Sequence, residues 1–214
     1  MKKKNIQVLE EMPIARAILH LALPSVLSMM VNILYNLTDT FFIGKLHNEA
    51  LVAAVSISLP LFTLQMAVAG IFGVGGSSYL SRLLGSKDFR KARETTTTAV
   101  FSSFVFSIVL GVVGILCIPL FLKVTGASGE TAVAARQYMF WILLGSPFVM
   151  LKFTMVQLVR GEGGARQAMY GLVIGTVTNI ILDPIFIFGF KMGVTGAAIA
   201  TVIGQGLAMC YFIR

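Results

Sequence analysis

Uncharged, predominantly apolar stretches alternate with short charged segments along the whole chain. Residues 17–38, 50–81, 95–122 and 192–213 carry no Asp, Glu, Lys or Arg, and each exceeds the ~20 residues that cross a ~30 Å hydrocarbon core. Residues 137–151 run apolar to Lys152 and continue to Val159, while 167–182 run to Asp183 and continue to Phe190. Read as spans with one ionisable residue each, they complete a set of six. The pattern predicts helices near 14–43, 50–82, 90–122, 131–158, 166–190 and 194–214, joined by loops such as GSKDFRK and RGEGGARQ. Backbone groups in lipid must be satisfied internally, so a span is a helix or part of a closed barrel. Barrel strands would alternate over about ten residues instead of staying apolar for twenty. The fold class is therefore all-α integral membrane, with residues 1–214 forming a single six-transmembrane-helix bundle.

Composition sharpens this picture. Of 214 residues, 57% are hydrophobic and 12% charged, against roughly a quarter charged in soluble domains. Lys2, Lys3 and Lys4 precede the first apolar run as in a signal peptide, but the run is too long and no A-x-A-like site follows, so a retained first helix is expected. The net charge of +8 is unevenly placed. One set of segments holds Lys2, Lys3, Lys4, Arg16, Arg82, Lys87, Arg90, Lys91, Arg93, Arg160, Arg166 and Arg214; the other holds Lys45, Lys123, Arg136 and Lys191. The positive-inside rule then places both termini in the cytoplasm of a multi-pass protein of the plasma (inner) membrane, and the basic excess calls for no nucleic-acid partner.

Several local features read as structure. Pro24, Pro60, Pro147 and Pro184 each remove a helical hydrogen bond, although membrane helices tolerate proline. Gly171 and Gly175 have GxxxG spacing and predict close helix packing; Gly189 and Gly193 repeat it across a loop. Cys117 and Cys210 lack metal-ligand spacing to each other or to His20 and His47 and are read as packing residues. GVGGSS at 73–78 lacks a preceding strand and the P-loop lysine. Trp141 and Tyr170 suit packing or the membrane interface. No HExxH, no GxSxG and no Ser–His pairing at plausible depth is found, so no enzymatic chemistry is expected.

Polar residues inside the spans fall on helical faces. Ser25, Ser28, Asn32, Asn36 and Asp39 follow steps of three and four; so do Thr176, Asn179 and Asp183, and Thr201 and Gln205 lie four apart. Counting ~1.5 Å per residue from the outer loops puts Asp39, Asp183, Thr201 and Tyr138 roughly 9–12 Å deep. A carboxylate there costs about 2.5–3.5 kcal/mol to insert. Such acids mark ion or substrate paths, the competing reading being that each caps or hydrogen-bonds a bent helix. Two carboxylates close together need a shared proton or a cation, and the oxygens of Asn179 and Thr201 suit a hard cation such as sodium at Asp39, Asn179, Asp183 and Thr201. Lys152, eight residues before Arg160, is read as snorkelling toward the cytoplasm in preference to a substrate role.

The segments LALPSVLSMMVNILYNLTDTFFIGKL, SRLLGSKDFRKA, NIILDPIFIFGF and GVTGAAIATVI together resemble the N-terminal lobe of the multidrug and toxic compound extrusion (MATE) family, over essentially the whole chain. The resemblance implies six helices paired with a second lobe or a second copy, and alternating access. It implies half of a multidrug antiporter that exports small, often cationic drug-like compounds among the membrane lipids. It needs no cofactor beyond sodium or a proton as coupling ion. The family's cation site then falls on Asp39, Asn179, Asp183 and Thr201, with Tyr138 nearby and Pro24 bending the first helix; Asn32, Asn36, Thr176 and Gln205 line the polar cavity. Family members run to about twice this length. The alternatives are a flippase for lipid-linked precursors, which would need more cationic residues in its cavity, and a truncated scaffold that moves nothing.

Overall fold

The structure, a computed structural model, describes residues 13–46 and 48–213. The side chains of Ile14, Ala15, Ala17, His20, Leu21 and Asn36 fall outside that description, as do Lys2, Lys3, Lys4, His47 and Arg214 altogether. The described residues form helices and no strands: α1 (Ile14–Gly44), α2 (Glu49–Gly85), α3 (Phe89–Val124), α4 (Gly129–Leu144), α5 (Ser146–Gly161), α6 (Ala165–Pro184) with a π-helical turn (Ile185–Gly189), and α7 (Val194–Ile213). Among the described residues the fourth span departs from a continuous helix. It breaks at Gly145 into α4 and α5, bent by 55°, with Pro147 in the first turn of α5, where a missing N–H is harmless.

The connections are tight because the helix ends satisfy their own backbone. Lys87 turns into the left-handed region at φ 60°, and Lys87 and Asp88 donate back to Leu84 and Leu83 at 3.1 and 3.0 Å, a Schellman closure of α2. The Asp88 side chain then accepts from Lys91 N–H at 3.1 Å and starts α3. That bond, with the Lys91 and Arg90 charges, holds the Asp88 carboxyl below the usual carboxylate range. Gly126 and Gly163, at φ 70° and 78°, close α3 and α5 by the same double bond. At the opposite end of the bundle Asn48 caps α2 through Ala50 N–H at 2.9 Å and donates to Glu130 at 2.7 Å.

Packing divides the helices into two groups. α2 lies against α3, α4 and α5, while α6 lies against α1 and α7; α7 joins the groups through α4 and α5. One buried cluster, including Ile43, Ala54, Met139 and Ile187, lies toward the Asn48 end, and a second, Leu80, Leu83, Ala92, Ala99 and Leu158, lies at the Ser86 end. α1 touches α2 and α7 only sparsely. Apolar side chains cover the exterior, with Leu116 75% and Ile71 69% exposed, the reverse of a soluble fold and the surface lipid requires. Cys117 and Cys210 belong to this exterior; they do not pack inside, because both sit on helix faces turned away from the bundle.

The α6–α7 seam is built on small residues. A Cβ on Gly204 would sit 2.7 Å from the Gly175 carbonyl, and one on Gly175 would sit 3.0 Å from the Gly204 carbonyl. Gly171 lies under the Phe212 ring. Gly189 and Gly193 face open space. The seam brings the polar face of α6 directly onto that of α7.

Candidate functional site

Asn179 and Asp183 lie one turn apart on α6, and Pro184 follows immediately. Having no N–H to continue the α ladder, Pro184 ends α6, and the chain runs on through a π turn closed by Phe190 N–H to Ile185 at 2.9 Å. On the polar face the Asn179 amide donates to Asp183 Oδ1 at 3.1 Å and to Thr201 Oγ1 of α7 at 3.3 Å. Thr201 Oγ1 also shares a hydrogen bond of 3.2 Å with the Tyr35 hydroxyl of α1. Asn179, Asp183 and Thr201 are 1%, 0% and 2% exposed. Three helices thus converge on one buried polar knot.

Asp39 lies one turn from Tyr35 on α1, buried, and Tyr35 lines both the Asp39 cavity and the cleft of Asn179. The Asp39 cavity, of about 110 Å³, is lined also by Ser58 and Tyr138. Asp39 Oδ1, Asp183 Oδ2 and Asn179 Oδ1 are all buried without a hydrogen-bond partner. Unsatisfied acceptors in low dielectric are costly, and oxygen acceptors are the ligand type that hard cations take. Among the described residues no group of three or more His, Cys, Asp and Glu is assembled; the oxygens here come from two carboxylates, an amide and hydroxyls.

The remaining sequence candidates divide. Asn32, Thr176 and Gln205 line a smaller cleft of about 20 Å³ beside Asn179 and Thr201. The Asn36 side chain lies outside the described residues. α1 is a continuous helix through Pro24, whose carbonyl accepts from Ser28 Oγ at 2.7 Å. Tyr35 was missed by sequence reasoning, although its steps to Asn32 and Asp39, three and four residues, put it on the same face. Lys152 is also placed differently from expectation: seven residues past the break at Gly145, it lines the Asn179 cleft with residues of α6 and α7.

These features meet a known pattern. Residues 24–185 match the MatE family model. The chain belongs to the MatE family. The matched span holds Pro24, Asp39, Tyr138, Asn179 and Asp183 and stops short of Thr201. Over 213 residues the chain is 36% identical to the multidrug export protein MepA of Staphylococcus haemolyticus (strain JCSC1435), covering 100% of this chain and 47% of that relative. It is 33% identical to MepA of Staphylococcus aureus (strain MRSA252), with the same coverage. An outward-facing multidrug resistance MATE transporter of the MOP superfamily superposes with a TM-score of 0.93 at 31% identity, covering 99% of this chain and 47% of that one. A MOP superfamily transporter from Pyrococcus furiosus Vc1 (DSM3638), described with a binding pocket of reverse polarity that suggests a different function, superposes equally at 0.93 and 31%, covering 99% and 46%. The chain spans about half the length of these relatives. It is a multi-pass membrane protein with the architecture of one MATE lobe.

Proposed function

We propose that this lobe belongs to an exporter of small drug-like, often cationic compounds, driven by sodium or proton entry at Asp39, Asn179, Asp183 and Thr201, with Tyr138 on the wall of the Asp39 cavity. The observation that carries the reading is the trio of buried, unpartnered oxygens on Asp39, Asn179 and Asp183. A cation or proton satisfies them, and its departure leaves them exposed to repulsion, so occupancy biases the arrangement of α1 against α6 and α7. Each charge moving inward is worth about 2.3 kcal/mol per 100 mV of membrane potential. Export follows if drug and ion favour opposite orientations of the lobe. The sparse contacts of α1 with α2 and α7 leave a flank for a second lobe or a second copy. The basic bias of the sequence sets both termini in the cytoplasm of a plasma-membrane protein.

The test is export of ethidium, a permanently cationic dye, from proteoliposomes. An exporter accelerates dye movement when a sodium or proton gradient is imposed. A scaffold behaves as empty liposomes do.

A further inference from the structure

A larger cavity, of about 630 Å³ and lined by apolar residues alone, lies between α2 and α3 over Met139 of α4. It touches none of the helices that form the polar knot. Leu64, Val109 and Val113 on its walls are about half exposed, so it opens onto the apolar exterior as a groove. Its α3 wall runs from Phe106 to Phe121, about 22 Å at ~1.5 Å per residue, from the midpoint of that 36-residue helix to near its C-terminal end. Half of a bilayer of ~40–45 Å has this depth. Spread over that length, the volume leaves a mean cross-section of about 30 Å². A helix, about 10–12 Å across, needs about 80–110 Å², so the groove cannot seat a helix of a second copy or a second lobe. One hydrocarbon chain fits.

We infer that this groove holds one acyl chain of an anionic phospholipid from the leaflet at the Asn48 end of the bundle. Lys123 lies two residues beyond Phe121 and Arg136 three before Met139, so both stand at the end of the groove where the headgroup of such a lipid sits. Both are exposed. Among the described residues the ion pairs are Arg90 with Glu94 and Lys91 with Asp88, and Glu130, at the same end as Lys123 and Arg136, accepts from Asn48 at 2.7 Å. The two charges are thus open to a lipid phosphate. Within a bilayer the chain gains no hydrophobic transfer energy by entering the groove; the gain is dispersion contact along its length and attraction between the headgroup and the basic pair.

The inference stands on the membrane character of the lobe and not on what it transports. The purified protein in detergent is titrated with dioleoyl phosphatidylglycerol, which is anionic, or dioleoyl phosphatidylcholine, which is zwitterionic, and lipid adducts are counted by native mass spectrometry. The unaltered protein is expected to hold one phosphatidylglycerol about tenfold more tightly than phosphatidylcholine, the order that two basic side chains beside an anionic headgroup supply. Val113→Trp fills the groove and should lose that adduct, and Val109→Phe, one turn away, should weaken it. Leu116→Trp, on the same helix but 75% exposed and outside the groove, should leave it intact. Lys123→Gln combined with Arg136→Gln should equalise the two lipids while one adduct remains, and melting temperature reports that each variant is folded. Equal retention of both lipids by the unaltered protein, an undiminished adduct in the folded groove-filling variants, equal loss in Leu116→Trp, an unchanged preference without the two charges, or a dimer that Val113→Trp dissolves would overturn the inference.

Discussion

Gln65 of α2 donates to Ser146 Oγ at 2.8 Å, across the point where the fourth span breaks. The same amide reaches the Ile142 carbonyl at 3.3 Å, and Ser146 Oγ donates to the Leu143 carbonyl at 2.6 Å. Those carbonyls lose their helical partners at the break, and in lipid no water replaces them. Gln65→Leu should therefore destabilise the fold by about 1–3 kcal/mol. Scanning fluorimetry in detergent should show a lowered melting temperature; an unchanged value would mean the break needs no side-chain support.

The α6–α7 seam makes a second, graded prediction. Because a Cβ on Gly204 meets the Gly175 carbonyl at 2.7 Å, Gly204→Val should push the helices apart and cost about 1–3 kcal/mol. Gly75, with nothing within 4 Å of its added Cβ, should accept alanine at no cost, or gain up to about 1 kcal/mol from helix propensity. Equal melting temperatures for the two variants would count against close packing at the seam.

Topology is tested by accessibility. Asn48 before α2 and Glu130 in the first turn of α4 meet at one end of the bundle through a 2.7 Å hydrogen bond, and the Ser86 turn lies at the other. With Cys117 and Cys210 replaced, Ser128→Cys should react with an impermeant maleimide on intact cells and Ser86→Cys only after lysis. The opposite pattern would reverse the assigned orientation.

A shared level along the bundle was legible in the sequence where azimuth was not. A constant rise per residue is enough to place Asp39, Asp183, Thr201 and Tyr138 at one level, and the structure finds Asn179 bonded to both Asp183 and Thr201. Which side chain of α1 reaches α7 depends on helix rotation, so Tyr35 escaped notice. The direction of Lys152 follows a 55° break at Gly145 that packs closely on its neighbours: a Cβ on Gly145 would run into the Val202 side chain, and one on Gly111 would lie 2.9 Å from the Leu143 carbonyl. GxxxG spacing flagged Gly171 and Gly175, but their partners, Phe212 and Gly204, lie on another helix and carry no local signal.

Neutral ligands and charged ones should differ in their effect on coupling. Asn179→Ala and Thr201→Val each remove one neutral hydrogen-bonding group, worth about 1 kcal/mol, so each should weaken the ion dependence of export by about fivefold. Dye efflux measured across a series of sodium concentrations and pH values checks this. A variant as inactive as one lacking a carboxylate would show that the amide or hydroxyl is required in its own right.

The central claim is that Asp39 and Asp183 act as one ion-binding unit that drives export. It is tested most directly by ethidium efflux from proteoliposomes containing the unaltered protein, Asp39→Asn or Asp183→Asn, under imposed sodium and proton gradients. Each substitution keeps the side chain's size and removes its charge. The account predicts gradient-driven efflux from the unaltered protein and, for either variant, efflux at the level of empty liposomes with insertion and melting temperature preserved. Efflux by both variants with an unchanged dependence on sodium and pH would contradict it and leave the two carboxylates with a structural role alone.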